Sequence, residues 1–318
     1  MITDKNVKVN EILQDFSKHK NFATELQHVL SEFYKEPVNV AGGGYQLVKS
    51  QRGQEIDKCG TSLTFERYFN EEQTVRLASA NFCKHRLCPY CAWRWHLKYS
   101  KIIEKSFEIL DVQDFYHVVL TIPNVKFLNK EFLMELRKNA TKFIKKSLKC
   151  KDYMISFEIT IDKEGGYHPH FHVIAILKDK PTKKFLQTEW AKVSNCGSNY
   201  AICDIKECTD KRISQELTKY ILKFEGEQIN EKNLYVINNA LKGLRKFATN
   251  GIIKKAEEQA KIELQAQAFD RIQELNEYDS ELLFYQWFAK GYELKEIMHK
   301  DKKESPVLEL GDLSSIIE

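Results

Sequence analysis

The chain contains no uninterrupted apolar run long enough to span a bilayer, no G-x-x-x-x-G-K-[ST] phosphate loop, no internal repeat and no low-complexity tract. The first absence argues against membrane insertion. The second excludes nucleotide-driven unwinding of DNA by that machinery, so any strand separation falls to another protein. Neither sign of charge is in excess, because 49 Lys+Arg face 45 Asp+Glu and leave a formal net charge of +4 over 318 residues. A nucleic-acid surface would have to arise from local segregation of charge, not from bulk basicity. A hydrophobic content of 42% is ample for a core, and the length permits two domains or one large one with appendages.

What is present is concentrated chemistry. Three of the nine histidines fall within five residues, in Tyr167-His168-Pro169-His170-Phe171-His172-Val173-Ile174. Side chains alternate across a strand, so His168, His170 and His172 face one way while Pro169, Phe171 and Val173 face the other. Imidazoles at i and i+2 can share a divalent ion, and the apolar run 173–177 supplies a stiff base. Two classes want this pattern: histidine-triad nucleotide hydrolases, from whose signature Pro169 departs, and metal-dependent nickases that use His-hydrophobe-His (His170-Phe171-His172).

A nickase also needs a nucleophile. Residues 213–225 read as a helix with Ile213, Leu217, Ile221 and Phe224 as the apolar stripe. Glu216, Tyr220 and Lys223 form an adjacent polar stripe, bordered by Arg212 and Lys219. A carboxylate, a phenol and an ammonium on one face suit phosphoryl transfer: tyrosinate attacks phosphorus, the cation offsets developing charge, and the carboxylate can activate a second nucleophile. The same pattern is also that of an ordinary solvated helix face, and only the histidines upstream favour the chemical reading.

The cysteines make a separate argument. Cys83, Cys88 and Cys91 form a C-x4-C-x2-C cluster, with Cys59 a fourth thiolate for tetrahedral zinc and His85 its substitute. With no signal-peptide-like run ahead of them, a reduced cytoplasmic metal site is expected in place of a disulfide framework. Cys150, Cys196, Cys203 and Cys208 are spaced too loosely for the same reading and are expected as small buried hydrophobes. The helical stretch after the cluster is aromatic and basic, and Arg86, Arg94, Lys98 and Lys101 are candidates for phosphate contact, with Trp or Tyr available for base stacking. Its aromatics are equally suited to a core.

The expected organisation is a helical lead-in (1–54), a zinc-binding and basic/aromatic segment (55–110), an endonuclease core (111–226) and a helical C-terminal region (227–318). Strands are expected at 115–122, 153–162, 168–178 and 200–206, with helices at 9–34, 130–148, 183–193, 213–225, 254–275 and 280–300. Residues 162–166 read as a turn that makes Glu158 and His172 neighbours across a hairpin. Antiparallel strands with helices on one face give an α+β palm. Phe284, Tyr285, Trp287 and Phe288 read as a packing stripe of the last helix.

The ordered set HVVLTIPN (117–124), FEIT (157–160), HPHFHVIAIL (168–177) and ELTKYILKFE (216–225), with the cysteine cluster upstream and LKGLRKFATNG (241–251) downstream, resembles the replication initiator (Rep) proteins of small rolling-circle plasmids of Gram-positive bacteria. These lie within the His-hydrophobe-His (HUH) endonuclease superfamily. The resemblance implies an HUH palm with a central antiparallel sheet flanked by helices. It implies Tyr220 as the nicking nucleophile, Glu216 directing water in the terminating cleavage, and His170, His172 and Glu158 as ligands of Mg2+ or Mn2+. It implies plasmid origin DNA as partner, double- and single-stranded, with a host helicase and single-strand binding protein, and leaves a homodimer open. A single-strand transposase or mobilisation relaxase, a histidine-triad hydrolase and a non-catalytic zinc DNA-binding regulator are the rival readings.

Overall fold

A computed structural model describes residues 7–41, 43–110, 115–196, 202–208 and 230–301. Two compact units emerge, one from Met1–Lys98 with Ile262–Glu318 and one from Tyr99–Lys261. The expected helix 213–225, with Glu216, Lys219, Tyr220 and Lys223, lies outside the described residues.

In the first unit, α1 (Val7–Glu32) buries Val9, Leu13, Phe16, Lys20, Ala23, Gln27 and Leu30. Their alternating spacing of four and three is the single stripe of a helix packed along one side. Two of the seven are polar. After α1 the chain forms an exposed hairpin, β1 (Lys35–Asn39) and β2 (Tyr45–Lys49), within the expected helical lead-in, and then α2 (Gln51–Asp57), capped by the Ser50 hydroxyl. The lead-in is therefore only partly helical. β3 (Ser62–Tyr68) and β4 (Val75–Ala80), not anticipated from the sequence, run between the cysteines Cys59 and Cys83. They join a four-stranded antiparallel sheet with β10 (Ser280–Phe288) and β11 (Gly291–Lys300), in the order β11-β10-β3-β4.

The helix expected over 280–300 is thus a hairpin. A helix would have left β3 without its second partner, whereas a strand pairs Phe65 with Leu283 and sets the Phe65 and Tyr285 rings edge to face, 6.0 Å apart. The reversal falls at Ala289, whose φ of 51° lies in the left-handed region that turns use and helices do not. Aromatics that read as a helical stripe fit a pleated surface equally well.

The second unit holds the five-stranded antiparallel sheet β8-β5-β7-β6-β9, from β5 (Phe115–Thr121), β6 (Tyr153–Ile161), β7 (Tyr167–Ile176), β8 (Ile202–Glu207) and β9 (Phe247–Asn250). Both faces are covered, where the sequence had suggested helices on one. On one face Phe115, Met154 and Ile174 pack with Ile103 of α3 (Pro89–Leu110) and Ile253 of α7 (Gly251–Leu275). Val118, Leu120, Ile155, Phe171 and Val173 are buried on the other. Here α4 (Lys130–Lys142), its five-residue π turn (Phe143–Ser147), α5 (Lys183–Ser194) and α6 (Glu231–Ala240) supply Leu133, Leu136, Phe143, Leu186, Trp190 and Leu234. The Trp190 indole donates to the Thr121 carbonyl at 2.6 Å. No helix among the described residues is long and apolar enough to cross a membrane.

A charged network ties the first unit's sheet together. Glu66, 4% exposed, accepts from Arg76 at 2.6 Å, Lys300 at 2.8 Å and the Ser280 hydroxyl at 3.1 Å. Burial alone would raise its pKa, but Lys300 and Arg76 hold it down to about 2. A carboxyl depressed in the folded state contributes stability above its unfolded pKa, which is lost as pH falls toward the folded one. Glu66→Gln should cost on the order of 3 kcal/mol at neutral pH. In paired thermal melts that difference should close between about pH 4.5 and 2; a gap independent of pH would contradict the network.

Candidate functional site

Two clusters bring chemistry together, one in each unit. In the first, Cys59 follows α2, Cys83 follows β4, and Cys88 and Cys91 flank the start of α3. Their four sulfurs lie within 4.8 Å of one another. The measured separations are 3.4 Å (Cys59–Cys91), 3.7 Å (Cys83–Cys91) and 3.8 Å (Cys59–Cys88). A tetrahedron with metal–sulfur bonds of ~2.3 Å has edges of about 3.8 Å, so the donor set fits a tetrathiolate ion. His85 is occupied elsewhere: its Nε2 meets the Tyr34 hydroxyl at 3.0 Å and its Nδ1 accepts from Leu87 N at 3.2 Å. Of the two candidates for fourth ligand, the geometry selects Cys59.

Both polar residues of the α1 stripe face this cluster. Lys20, 1% exposed, donates to the Cys59 carbonyl at 2.8 Å and to Gln27 Oε1 at 2.5 Å, and Gln27 Nε2 donates to Cys88 Sγ at 3.1 Å. Burial lowers the Lys20 pKa, and Cys59 and Cys88 oppose that shift. A buried ammonium is costly unless negative charge lies near it, and four thiolates around a divalent ion carry a net charge of −2. Sequence reasoning missed Lys20 and Gln27; the signal was there, two polar residues seven apart in an otherwise apolar stripe.

The second cluster sits on the central strands of the other sheet. Hairpin register places Glu158 opposite His170 and Ser156 opposite His172, so the carboxylate faces one ring directly and the other diagonally. Glu158 Oε2 lies 2.8 Å from His170 Nε2 and 3.1 Å from His172 Nε2. Cis ligands of an octahedral ion at ~2.1 Å stand about 3 Å apart, so this set also fits a metal. Glu158 and His170 are buried, at 3% and 8% exposure. The register is set by Asp162, whose Oδ1 accepts from Glu164 N at 2.9 Å and Gly166 N at 2.7 Å, with Gly165 at φ 81° closing the turn. His168 shares the face of His170, ring centroids 5.5 Å apart, but offers no atom to the cluster.

Two further residues adjoin this site. His117, on β5, places Nε2 3.1 Å from His172 Nδ1. With that nitrogen engaged, His172 can turn only Nε2 toward an ion, so His117 orients a ligand without being one. Strand alternation from His117 through Val119 to Thr121 placed it on the histidine face and could have revealed it. Lys246, half-buried just before β9, has its pKa pushed down to about 7 by burial, with Glu158 opposing. Nothing in its sequence neighbourhood marked it.

Among the residues expected to meet DNA, Arg86 and Lys101 are exposed and Lys98 is partly so. Arg94 lies over the Phe16, Phe82 and Trp93 rings at 5.4, 5.6 and 5.8 Å, and is half-buried. Of the loosely spaced cysteines, Cys150 and Cys203 are buried as expected, while Cys196 and Cys208 are only partly so.

The α+β chain thus gathers two donor sets of a kind that could hold metal ions, a four-cysteine cluster and a Glu-His-His cluster on adjacent strands. Its family is more specific: the profile of the replication-protein family matches residues 74–296, and the chain belongs to that family. "Protein rep" of Lentilactobacillus hilgardii is 25% identical over 247 residues, covering 69% of this chain and 78% of that protein. "Protein rep" of a Bacillus species is 27% identical over 266 residues, covering 71% and 85%, and that of Streptococcus pneumoniae is 33% identical over 146 residues, covering 42% and 43%. No solved structure matches the chain.

The cysteine geometry generates a direct test. Elemental analysis of purified protein should find one equivalent of tightly held metal, lost in Cys59→Ser and Cys88→Ser with a fall in melting temperature on the order of 10 °C. His85→Ala should retain the metal; its loss there would reinstate His85 as the fourth ligand.

Proposed function

We propose that the chain is a plasmid rolling-circle replication initiator, a metal-dependent nickase and strand transferase that opens one strand of its double-strand origin. The observation that carries this reading is the Glu158-His170-His172 cluster, its ligand atoms 2.8 and 3.1 Å apart, in a member of a replication-protein family. A histidine-triad hydrolase would have no use for the carboxylate between the rings, and a non-catalytic regulator no use for the cluster.

In the proposed reaction the Tyr220 oxygen attacks the scissile phosphorus. A phosphotyrosine bond forms to the 5′ side, the bond to the 3′ oxygen breaks, and that oxygen leaves as the primer hydroxyl. An Mg2+ or Mn2+ held by His170, His172 and Glu158 would offset charge on the phosphate. Lys223 and Lys219 would neutralise the non-bridging oxygens and support ionisation of a phenol whose ordinary pKa is about 10. Glu216, one helical turn before Tyr220, would orient water for the terminating hydrolysis. Storing the cut strand as a phosphodiester keeps rejoining nearly energy-neutral. Zn2+ is the ion the four thiolates suit, as a structural element. Arg86, Lys98 and Lys101 are proposed on the DNA-binding side, while Arg94 is taken up by ring packing. Without a phosphate loop, unwinding is assigned to a host helicase, with a host single-strand binding protein on the displaced strand.

Purified protein incubated with a labelled single-stranded origin oligonucleotide and Mn2+ should give a covalent adduct on a denaturing gel. Tyr220→Phe should fold, bind and give none, while His170→Ala should lose cleavage by at least about a hundredfold. An undiminished adduct in Tyr220→Phe would falsify the nucleophile.

Glu216 separates the two cleavages. Glu216→Ala should nick and join through Tyr220 but fail to terminate, and Glu216→Tyr should restore termination by transesterification. On a plasmid with tandem origins, equal losses in both steps would overturn the water-directing role.

A further inference from the structure

The most basic stretch of the described chain belongs to neither cluster. Between Lys130 and Lys151 stand seven lysines and Arg137 against Glu131 and Glu135, a local charge of +6, compared with +5 for residues 84–105. Along α4 and the π turn, Leu133, Leu136, Ala140, Phe143 and Ile144 are buried, which turns the cations outward. All seven lysines are exposed. None of the eight cations forms an ion pair among the described residues. Lysines elsewhere commonly do, as in Lys35–Glu32, Lys180–Glu207, Lys254–Glu258 and Lys295–Glu293.

The basic strip continues onto the loop after α6. Lys130 Nζ stands near Gly243, 3.7 Å from where a Cβ there would lie, and seven residues further along the same helical side half-buried Arg137 is within electrostatic reach of Arg245. Like charges gathered in this way, with no ion pair among the described residues to neutralise them, repel one another until an anion arrives.

We propose that α4, its π turn and the 242–245 loop form a binding face for the phosphate backbone of duplex DNA. Helical rise from Lys130 to Lys146 is about 25 Å, over which a duplex presents about fifteen phosphates. A rigid rod of ammonium groups suits a stiff duplex. A single strand would call for stacking platforms, and the exposed side chains from Lys130 to Lys151 are only Lys, Glu and Met. Lysines as flexible point charges position the backbone without reading bases, so the face would hold DNA in a sequence-independent way. The inference rests on membership of a DNA-replication family and not on the nicking site.

The test uses the full chain and a duplex without origin sequence, with binding followed by fluorescence anisotropy across a salt series. Replacing Lys138, Lys142, Lys145 and Lys146 together by Gln should make the slope of log K against log salt shallower by about 3.6, at ~0.9 for each phosphate the protein no longer neutralises. Duplex affinity near 0.1 M salt should fall at least about tenfold, with less effect on a single-stranded oligonucleotide. The same four positions as Arg should keep the slope. Four paired lysines, Lys35, Lys180, Lys254 and Lys295, changed to Gln alter net charge equally and should leave it in place. Lys242→Gln with Arg245→Gln samples the same face from the loop should the helical variant fold poorly. An unchanged slope, an equal loss in the paired-lysine control, or a greater loss on single strands than on duplex would each overturn the assignment. Adduct formation on the single-stranded origin oligonucleotide, scored in parallel, reports on the nicking site separately.

Discussion

The carboxylate of Glu158 between the Nε2 atoms of His170 and His172 is the interaction on which the sheet's chemistry depends. It exists only because β6 and β7 pair in one register. A slip of one residue would carry Glu158 to the opposite face, the side of Phe171 and Val173, where a buried carboxylate has no partner. The Asp162 turn sets that register locally, and apolar alternation on both strands enforces it, since Met154 and Ile174 must meet Ile103 and Ile253 on one face while Ile155 and Val173 are buried on the other. Strand pairing thus places three donor side chains together on the two central, doubly paired strands of the sheet, where a loop would leave them less constrained.

The cysteine cluster solves a different problem. Its four cysteines come from the end of α2, the end of β4 and the start of α3, segments up to 32 residues apart in the chain. A tetrathiolate ion would hold them together, and the cost of its negative charge is met from inside the protein by Lys20 and Gln27. The same helix stripe supplies Phe16, whose ring meets Phe65 and Trp93 edge to face at 5.6 and 5.1 Å. One face of α1 therefore serves an apolar core and a polar shell at once, which explains why its periodicity survives two hydrophilic substitutions.

Charge segregation follows the same economy of faces. A chain with a formal charge of +4 cannot be basic throughout. Among the described residues many lysines pair with carboxylates, while the cations between Lys130 and Lys151 form no ion pair. Arg94 shows why position in a basic stretch is a poor guide: its guanidinium stacks over three rings of the core. The more basic run on α4 lies on a helix whose apolar stripe, Leu133, Leu136 and Ala140, reads as ordinary packing.

Short-range periodicity is enough for the strands 115–122, 153–162 and 168–178, the helices at 130 and 183 and the turn at 162–166, and close spacing of chemically distinctive residues is enough to mark Cys83, Cys88 and Cys91 and the histidines of β7 as candidate donors. The sequence by itself also carried the family, through the order of its motifs. What only the tertiary structure decided were matters of long-range partnership. The choice of Cys59 over His85 depended on Tyr34 engaging the imidazole, 51 residues away. Residues 280–300 became a hairpin because β3, more than 200 residues earlier, offers an edge to pair with. Lys20, His117 and Lys246 acquired meaning from neighbours distant in the chain. Local pattern sets the conformation a segment prefers; which segment it meets is set by burial and hydrogen-bond satisfaction over the whole fold, and no window of sequence contains that information.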